Sequence, residues 1–416
     1  MVLKIEGGNK LYGTYEVQTS KNAVLPILAG SILTSDKVTI LDAPNILDVD
    51  NMINILSSLG VVINREHKNI TISGEIKNIE VDSELSSLLR SSIFLLGPIL
   101  AVKKQACIAY PGGCDIGLRP IDIHLSGLRE LGVKITEEFG YINCDASNMK
   151  PADILLDLPS VGATENLIMA SVFLNGKTIL RNVAKEPEIV DLVHFLNSMG
   201  AKITGEGTTV IEITGVDTLH ATSYKPIADR IVAGTILLAA ATCGGEIELK
   251  NIQNEQIFSL ITKFAKNYCK LYCSYDNIIL KSNGSLKAIN QIETSYYPGF
   301  PTDMQAQLMA SMLTAKGTTV IVENLFETRF KQVPEFIKMG ADIKVSGKTA
   351  IVRGVDRLYG AEISAKDLRG GAGLVIAGLK AEGLSIISDI YHIDRGYESI
   401  ERVLQNLGAK IERVHE

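Results

Sequence analysis

No apolar run in the 416-residue chain approaches the ~20 residues that a membrane-crossing helix needs. The opening stretch, Met1-Val2-Leu3-Lys4-Ile5-Glu6-Gly7-Gly8, lacks the cationic and apolar regions of a signal peptide. A cytoplasmic protein is expected. Excess positive charge is missing too: 41 Lys and Arg stand against 47 Asp and Glu, a net charge of -6. General nucleic-acid affinity or adhesion to an acidic membrane is therefore not expected, and any anion must be held by a local cluster. The six cysteines (107, 114, 144, 243, 269 and 273) show no paired CxxC spacing, which suits reduced thiols better than disulfides or zinc. The six histidines are scattered, so no metal site is expected. What is present, 46% hydrophobic and 21% charged residues, is the composition of a globular chain long enough for two domains.

Self-similarity organises the rest. Leu59-Gly60-Val61, Leu131-Gly132-Val133, Met199-Gly200-Ala201, Met339-Gly340-Ala341 and Leu407-Gly408-Ala409 each read as the end of a helix and the start of a strand. A degenerate sixth copy has Tyr268 at the glycine position, and positions 60 and 268, 132 and 340, and 200 and 408 each differ by 208. Two homologous halves of three units follow. Each unit also holds a helix that is apolar on nearly every side: 23–33, 93–101, 167–174, 231–241, 304–313 and 374–379. Such helices must be buried. Others, such as 49–59, 189–199 and 400–407, alternate charge and hydrophobe at helical spacing and should cover the outside. The expected fold is α/β: two inside-out α/β barrels of three repeats each, with central buried helices surrounded by sheets and outer amphipathic helices. The expected domains are 21–228 for one barrel, and 1–20 with 229–416 for the other.

Charge sits where a helix dipole disfavours it. Lys21, Arg90 and Arg369 stand at the starts of buried helices, where about half a positive charge already accumulates; any one alone reads as a solvated surface charge, but the three together suggest an anion site. Arg230 is less telling, because Asp229 beside it can offset the charge. Arg119, Arg329 and Arg395 lie on the loops entering outer helices. If the two barrels face each other, both sets converge on an interdomain cleft suited to phosphate and carboxylate groups. Asp303, after the Pro298-Gly299-Phe300-Pro301 lead, reads as an N-cap unless Thr302 takes that place and leaves Asp303 as a base; Asp367 has the same two readings. The ten residues Pro111-Gly112-Gly113-Cys114-Asp115-Ile116-Gly117-Leu118-Arg119-Pro120 form a glycine-rich loop between a strand and a helix beginning near Ile121. A thiol beside a guanidinium there is a tunable acid or nucleophile.

Six motifs in order then carry a resemblance: Ser20-Lys21-Asn22-Ala23; Leu89-Arg90-Ser91-Ser92; Pro111 to Cys114 through Arg119-Pro120-Ile121-Asp122-Ile123-His124; Ser160-Val161-Gly162-Ala163-Thr164-Glu165-Asn166; Phe300-Pro301-Thr302-Asp303-Met304-Gln305-Ala306-Gln307; and Asp367-Leu368-Arg369 with His392-Ile393-Asp394-Arg395-Gly396-Tyr397. Over nearly its whole length the chain resembles the enolpyruvyl transferase family, in its UDP-N-acetylglucosamine 1-carboxyvinyltransferase branch. The resemblance implies a transferase of peptidoglycan synthesis that moves the enolpyruvyl group of phosphoenolpyruvate to the 3'-hydroxyl of UDP-N-acetylglucosamine. It also implies two inside-out barrels and no metal or organic cofactor. Lys21, Arg119 and Arg395 would hold phosphoenolpyruvate, with Asn22 adjacent. Arg90, Arg119, Pro120, Ile121, Asp122, Ile123, Ser160, Val161, Gly162, Asp303 and Leu325 would line the UDP-sugar site. Cys114 would donate a proton to the methylene carbon, Asp303 would accept one from the sugar hydroxyl, and Asp367 and Arg369 would support the loop and the ligand charges. An epoxide phosphonate is expected to react at Cys114. Nearby arginines favour the thiolate, and a bound dianionic substrate would restore the proton that a donor needs.

Two other readings stand beside this one: the sister transferase acting on shikimate 3-phosphate, and a non-catalytic scaffold binding a nucleotide sugar. The cysteine loop and Ser160-Val161-Gly162 speak against the first, and Lys21, Cys114, Asp303 and Arg395 together against the second. Leu47 replaces a lysine and Phe94 a tryptophan of some relatives. Gly370-Gly371-Ala372-Gly373 gives the last buried helix a glycine content expected to loosen it.

Overall fold

The structure, a computed structural model, describes residues 1–81, 83–112, 121–264 and 269–415. The chain forms two compact units, one from Met1–Gln18 and Ala228–Glu416, the other from the described residues between Thr19 and Ile227. Each has its own aliphatic core. Among the described residues each unit also holds three four-stranded sheets, every one built as a parallel pair continued by two antiparallel pairings. In the sheet containing the N-terminal strand, Val2–Glu6 lies between Leu384–Ser388 and Lys410–Val414, antiparallel to both. Leu11–Glu16 forms the edge of another, parallel to Gly245–Lys250. In the other unit Thr222–Tyr224 pairs in parallel with Val38–Ile40.

Six helices occupy the interiors: α1 (Lys21–Gly30), α2 (Leu96–Lys103), α3 (Val161–Ser171), α4 (Arg230–Cys243), α5 (Gln305–Met312) and α6 (Leu368–Lys380). In α4 every residue from Arg230 to Thr242 is buried, as an all-round apolar pattern requires. The expected helix at 93–101 is divided, with a 3-10 run, Arg90–Leu95, leading into α2. Amphipathic helices such as Leu47–Ser58, Asp122–Glu130, Pro187–Ser198 and Ile400–Asn406 bury one face and expose the other. Each unit is thus an inside-out α/β barrel, as the burial pattern of the sequence implies.

The repeated glycines end the outer helices. Gly60, Gly132, Gly200, Gly340 and Gly408 all have φ between +93° and +103°, the left-handed conformation that closes a helix and that glycine adopts without steric cost. Four of the five closures share one more bond, from the following N–H back to the carbonyl five residues earlier, as in Val133 to Leu128 (3.0 Å) and Ala409 to Leu404 (2.9 Å). Tyr268, the sixth position, lies outside the described residues.

The glycines of α6 do not loosen it: the helix runs unbroken from Leu368 to Lys380. A Cβ at Gly371 would come within 2.7 Å of Ile393 Cγ1, and one at Gly373 within 2.9 Å of the Ala306 carbonyl oxygen. Absence of side chain there lets α6 pack tightly on its neighbours, which offsets the low helix propensity.

Among the buried polar residues of α3, Glu165 carries a carboxyl group. It is 1% exposed, and neither carboxylate oxygen has a hydrogen-bond partner. Burial first, then the charges of Glu188 and Glu186, push its pKa well above the usual carboxylate range. The folded state therefore holds a proton that the unfolded chain releases, so this group's contribution to stability is present below the unfolded pKa and is lost as pH rises through the folded one. Glu165→Gln should melt higher than the wild type at pH 8 by at least about 2 °C, the scale of 1 kcal/mol for some 200 residues. The gap should shrink by pH 5. Thermal melts at both pH values check this, and a gap independent of pH would remove Glu165 as its source.

Candidate active site

In the unit containing both chain termini, the 3-10 turn Thr302–Met304 leads into α5 and places Asp303 at its start. Neither Thr302 nor Asp303 caps the turn. Thr302 Oγ1 donates to Glu323 Oε2 at 2.8 Å. The Asp303 carboxylate instead accepts from Arg329 Nη2 at 2.6 Å on one oxygen, and from Arg369 Nη2 at 2.9 Å and Nε at 3.1 Å on the other. The two arginine side chains are 4% and 2% exposed, while Asp303 is 27% exposed. A carboxylate that reaches solvent is thus held from behind by two buried guanidiniums, a geometry that fixes its direction. Burial alone would lower the pKa of Arg369, and the charge of Asp303, together with Tyr397 and Asp229, reverses this. Arg369 also stacks over the Tyr397 ring at 5.6 Å. Tyr397 Oη meets Thr235 Oγ1 at 2.9 Å and Gln307 Nε2 at 3.2 Å, and Gln307 Nε2 donates to the Asp303 carbonyl at 2.8 Å. Both the backbone and the side chain of Asp303 are therefore anchored.

Asp367, read from the sequence as either a cap or a base, is seen to act as a cap. It is 3% exposed, and its Oδ1 caps α6 by accepting from the N–H groups of Arg369 (3.0 Å) and Gly370 (2.9 Å). Arg395 is half-buried after the helical turn Tyr391–Asp394. Burial, then the Arg395 charge, lower the pKa of His392, against which Asp367 acts in the opposite sense. Asp394 next to Arg395 is taken by Arg413, through bonds of 2.8 and 2.7 Å. Leu325 donates its N–H to Glu323 Oε1 at 2.9 Å. Glu323, itself 2% exposed, thereby shapes the 324–326 loop.

The helix-start cations of both units have protein partners, so their presence alone does not demand a ligand. Lys21 Nζ lies 3.1 Å from Asp48 Oδ2, whose side chain is 2% exposed. Arg90 reaches the Pro111 carbonyl at 3.3 Å. Arg369, described above, has Asp303. Asp229 caps α4 through Ile231 and Val232 N–H, both at 2.9 Å, and Arg230 lies over the Tyr297 ring at 5.6 Å. Ser160 caps α3, its Oγ accepting from Ala163 N–H at 3.3 Å, and Val161 and Gly162 form the first turn. Phe94 packs at Gly162, where a Cβ would fall 2.7 Å from its ring. Ile121 belongs to the core and Ile123, partly buried, packs against it, whereas Asp122 starts the outer helix exposed. Asn22 is half-buried in the first turn of α1. Cys114, Arg119 and Pro120 lie outside the described residues.

The model of the family EPSP synthase (3-phosphoshikimate 1-carboxyvinyltransferase) matches residues 5–404. The UDP-N-acetylglucosamine 1-carboxyvinyltransferase 2 of Caldanaerobacter subterraneus subsp. tengcongensis is 49% identical over 412 residues, 99% of each chain. The chain belongs to the UDP-N-acetylglucosamine 1-carboxyvinyltransferase family. A second family member, from Clostridium acetobutylicum, is 46% identical over 99% of both chains. At the level of fold, the enolpyruvyl transferase NikO from Streptomyces tendae superposes with a TM-score of 0.88 at 21% identity, covering 99% of this chain and 98% of its own. EPSP synthase from Acinetobacter baumannii gives 0.73 at 18% identity over 99% of each. Within this carboxyvinyltransferase, sequence reading missed Asp48, Glu323, Tyr397 and Gln307 as partners of candidate residues. Asp48 had one signal, an acid in the first turn of an outer helix; the others had none, because each is defined by a contact distant in sequence.

Proposed function

We propose that the protein transfers the enolpyruvyl group of phosphoenolpyruvate to the 3'-hydroxyl of UDP-N-acetylglucosamine and releases phosphate, the first committed step of peptidoglycan synthesis, in the cytoplasm. Identity of 49% along 99% of the chain to a carboxyvinyltransferase of that name carries the reading. The anchored Asp303 carboxylate supplies chemistry that agrees with it. Among the described residues no helix is long and apolar enough to cross a membrane.

In the proposed reaction the Cys114 thiol gives its proton to the methylene carbon of phosphoenolpyruvate, and positive character develops on the adjacent carbon. The sugar oxygen attacks that carbon as its proton passes to Asp303, forming the new C–O bond. The methyl carbon then gives a proton back to the Cys114 thiolate, restoring the double bond as the bond to phosphate breaks, with the electron pair leaving on phosphate. Lys21, Arg119 and Arg395 would neutralise the phosphate and carboxylate. Arg90, Ser160 to Gly162 and the stretch from Arg119 to Ile123 would hold the nucleotide sugar, with Leu325 and Arg369 beside Asp303. Asp367 keeps a place through its cap on α6, which orients Arg369.

Phosphate release from phosphoenolpyruvate is expected with UDP-N-acetylglucosamine and at least ~100-fold more slowly with shikimate 3-phosphate, since a site built for one polar acceptor leaves its groups unpaired with the other. Preference for shikimate 3-phosphate would return the protein to the sister activity, and no release with either would favour a binding scaffold.

A further inference from the structure

His124 is the third residue of the outer helix Asp122–Glu130 and is 7% exposed. Its tautomer follows from Asn166. The Gly97 N–H can only donate, and it reaches Asn166 Oδ1 at 2.5 Å, which fixes the orientation of the side-chain amide. Asn166 Nδ2 then donates to the Ile93 carbonyl at 3.0 Å and faces His124 Nδ1 at 3.1 Å. Nδ1 must accept, so the ring proton sits on Nε2. Burial, then the charge of Arg90, hold the pKa down at about 3, which keeps the ring neutral at working pH.

The Nε2–H has no hydrogen-bond partner among the described residues, although the side chain is more than nine-tenths buried. The nitrogen itself is not among the fully buried unpartnered atoms, so this donor keeps an opening through which an acceptor can reach it. Its ring edge lies at the start of α3, where a Cβ on Gly162 would be 3.1 Å from Cε1 and 3.3 Å from Nε2. The first amides of an eleven-residue helix have no intrahelical acceptor and carry partial positive charge. Helix N-terminus, Arg90 and a neutral N–H donor together suit the most anionic part of a nucleotide sugar.

We propose that His124 is an uncharged donor to a diphosphate oxygen of the nucleotide sugar, acting from its Nε2–H at the N-terminus of α3. The proposal rests on the transferase reading above and adds to it a contact that carries no charge. Arg90 gives attraction that salt screens. His124 gives direction, and its neutrality avoids repulsion with Arg90.

Asn and Gln separate the two nitrogens. His124→Asn keeps an acceptor near the Nδ1 position for Asn166 but has no group at Nε2; His124→Gln restores a donor there. Titration calorimetry with UDP and with UDP-N-acetylglucosamine should show the Asn variant weaker than wild type by about 10- to 100-fold for both, the scale of a hydrogen bond to a charged group. The Gln variant should recover most of the loss, and KM for phosphoenolpyruvate should change less than threefold (roughly) in either. Should the Asn variant fail to fold, histidine-labelled wild type serves: the Nε2 resonance of His124 should report the Nε2–H tautomer and shift on saturation with UDP. Unchanged affinity in the Asn variant, a Gln variant as weak as Asn, loss confined to UDP-N-acetylglucosamine, or an Nε2 signal indifferent to UDP would each overturn the proposal. Wild type that binds neither ligand would sink the transferase reading as well; wild type that binds both, with variants unaffected, sinks only the role of His124.

Discussion

Asp303→Asn is expected to turn over at least ~100-fold more slowly than wild type while binding UDP-N-acetylglucosamine within about tenfold. The substitution keeps shape and removes charge. Arg329 and Arg369 hold the carboxylate on both oxygens, so what is lost is a directed anion that can take up the hydroxyl proton. A second consequence comes from the same contacts. Two guanidiniums that are 4% and 2% exposed would face a neutral amide, and removing one partner of a buried ion pair costs about 3–5 kcal/mol. The Asn variant should therefore also melt lower, and kinetics belong well below its transition. Steady-state turnover with calorimetric binding separates the effects. Near-normal turnover in a folded Asn variant would leave Asp303 as a structural clamp for the two arginines.

An epoxide carrying a phosphonate should inactivate the enzyme irreversibly by alkylating Cys114, and saturating phosphoenolpyruvate should slow the reaction. The other thiols are poor competitors. Burial raises the pKa of Cys107, Cys269 and Cys273, and pushes those of Cys144 and Cys243 up to about 12. Each is therefore a thiol at neutral pH, and the thiolate is the nucleophile. Cys114→Ser should escape the epoxide and lose activity by at least ~100-fold. Cys114→Asp should escape yet keep some activity, because a carboxyl group with a raised pKa can still donate a proton. Peptide mapping locates the adduct; a label on Cys273 with Cys114 unmodified would remove the loop from the chemistry.

The fold was legible because its signals are local and repeated. A position recurring every 68 or 72 residues, glycine in five copies of six, marks a backbone requirement, a positive φ at a helix end, and all-round apolar helices can only be interior. Partnerships of the candidate residues were less legible. Lys21 and Asp48 are 27 positions apart, Asp303 and Arg369 are 66 apart, and His124 and Asn166 are 42 apart. A helix dipole argument sees the cation but not the carboxylate that the fold brings to it. The same limit misread Gly370 and Gly371: propensity counts the missing side chain as loss, and only tertiary packing shows Asp367 and Gln332 at the first and Ile393 at the second in the space it leaves.

The strand Val2–Glu6 has its two sheet neighbours at Leu384–Ser388 and Lys410–Val414, which sets a schedule for biosynthesis. Synthesis at about 5–20 residues per second delivers those partners tens of seconds after the strand itself. Meanwhile the unit between Thr19 and Ile227 can close, since its parallel partner for Val38–Ile40 is Thr222–Tyr224. The N-terminal segment must stay soluble and unengaged while a whole domain folds behind it, with aliphatic Leu3 and Ile5, fully buried at the end, exposed throughout. That interval is when the nascent chain most needs a chaperone, and a ribosome stalled before residue 384 would release one finished domain tethered to a second that has no means of completing its sheet.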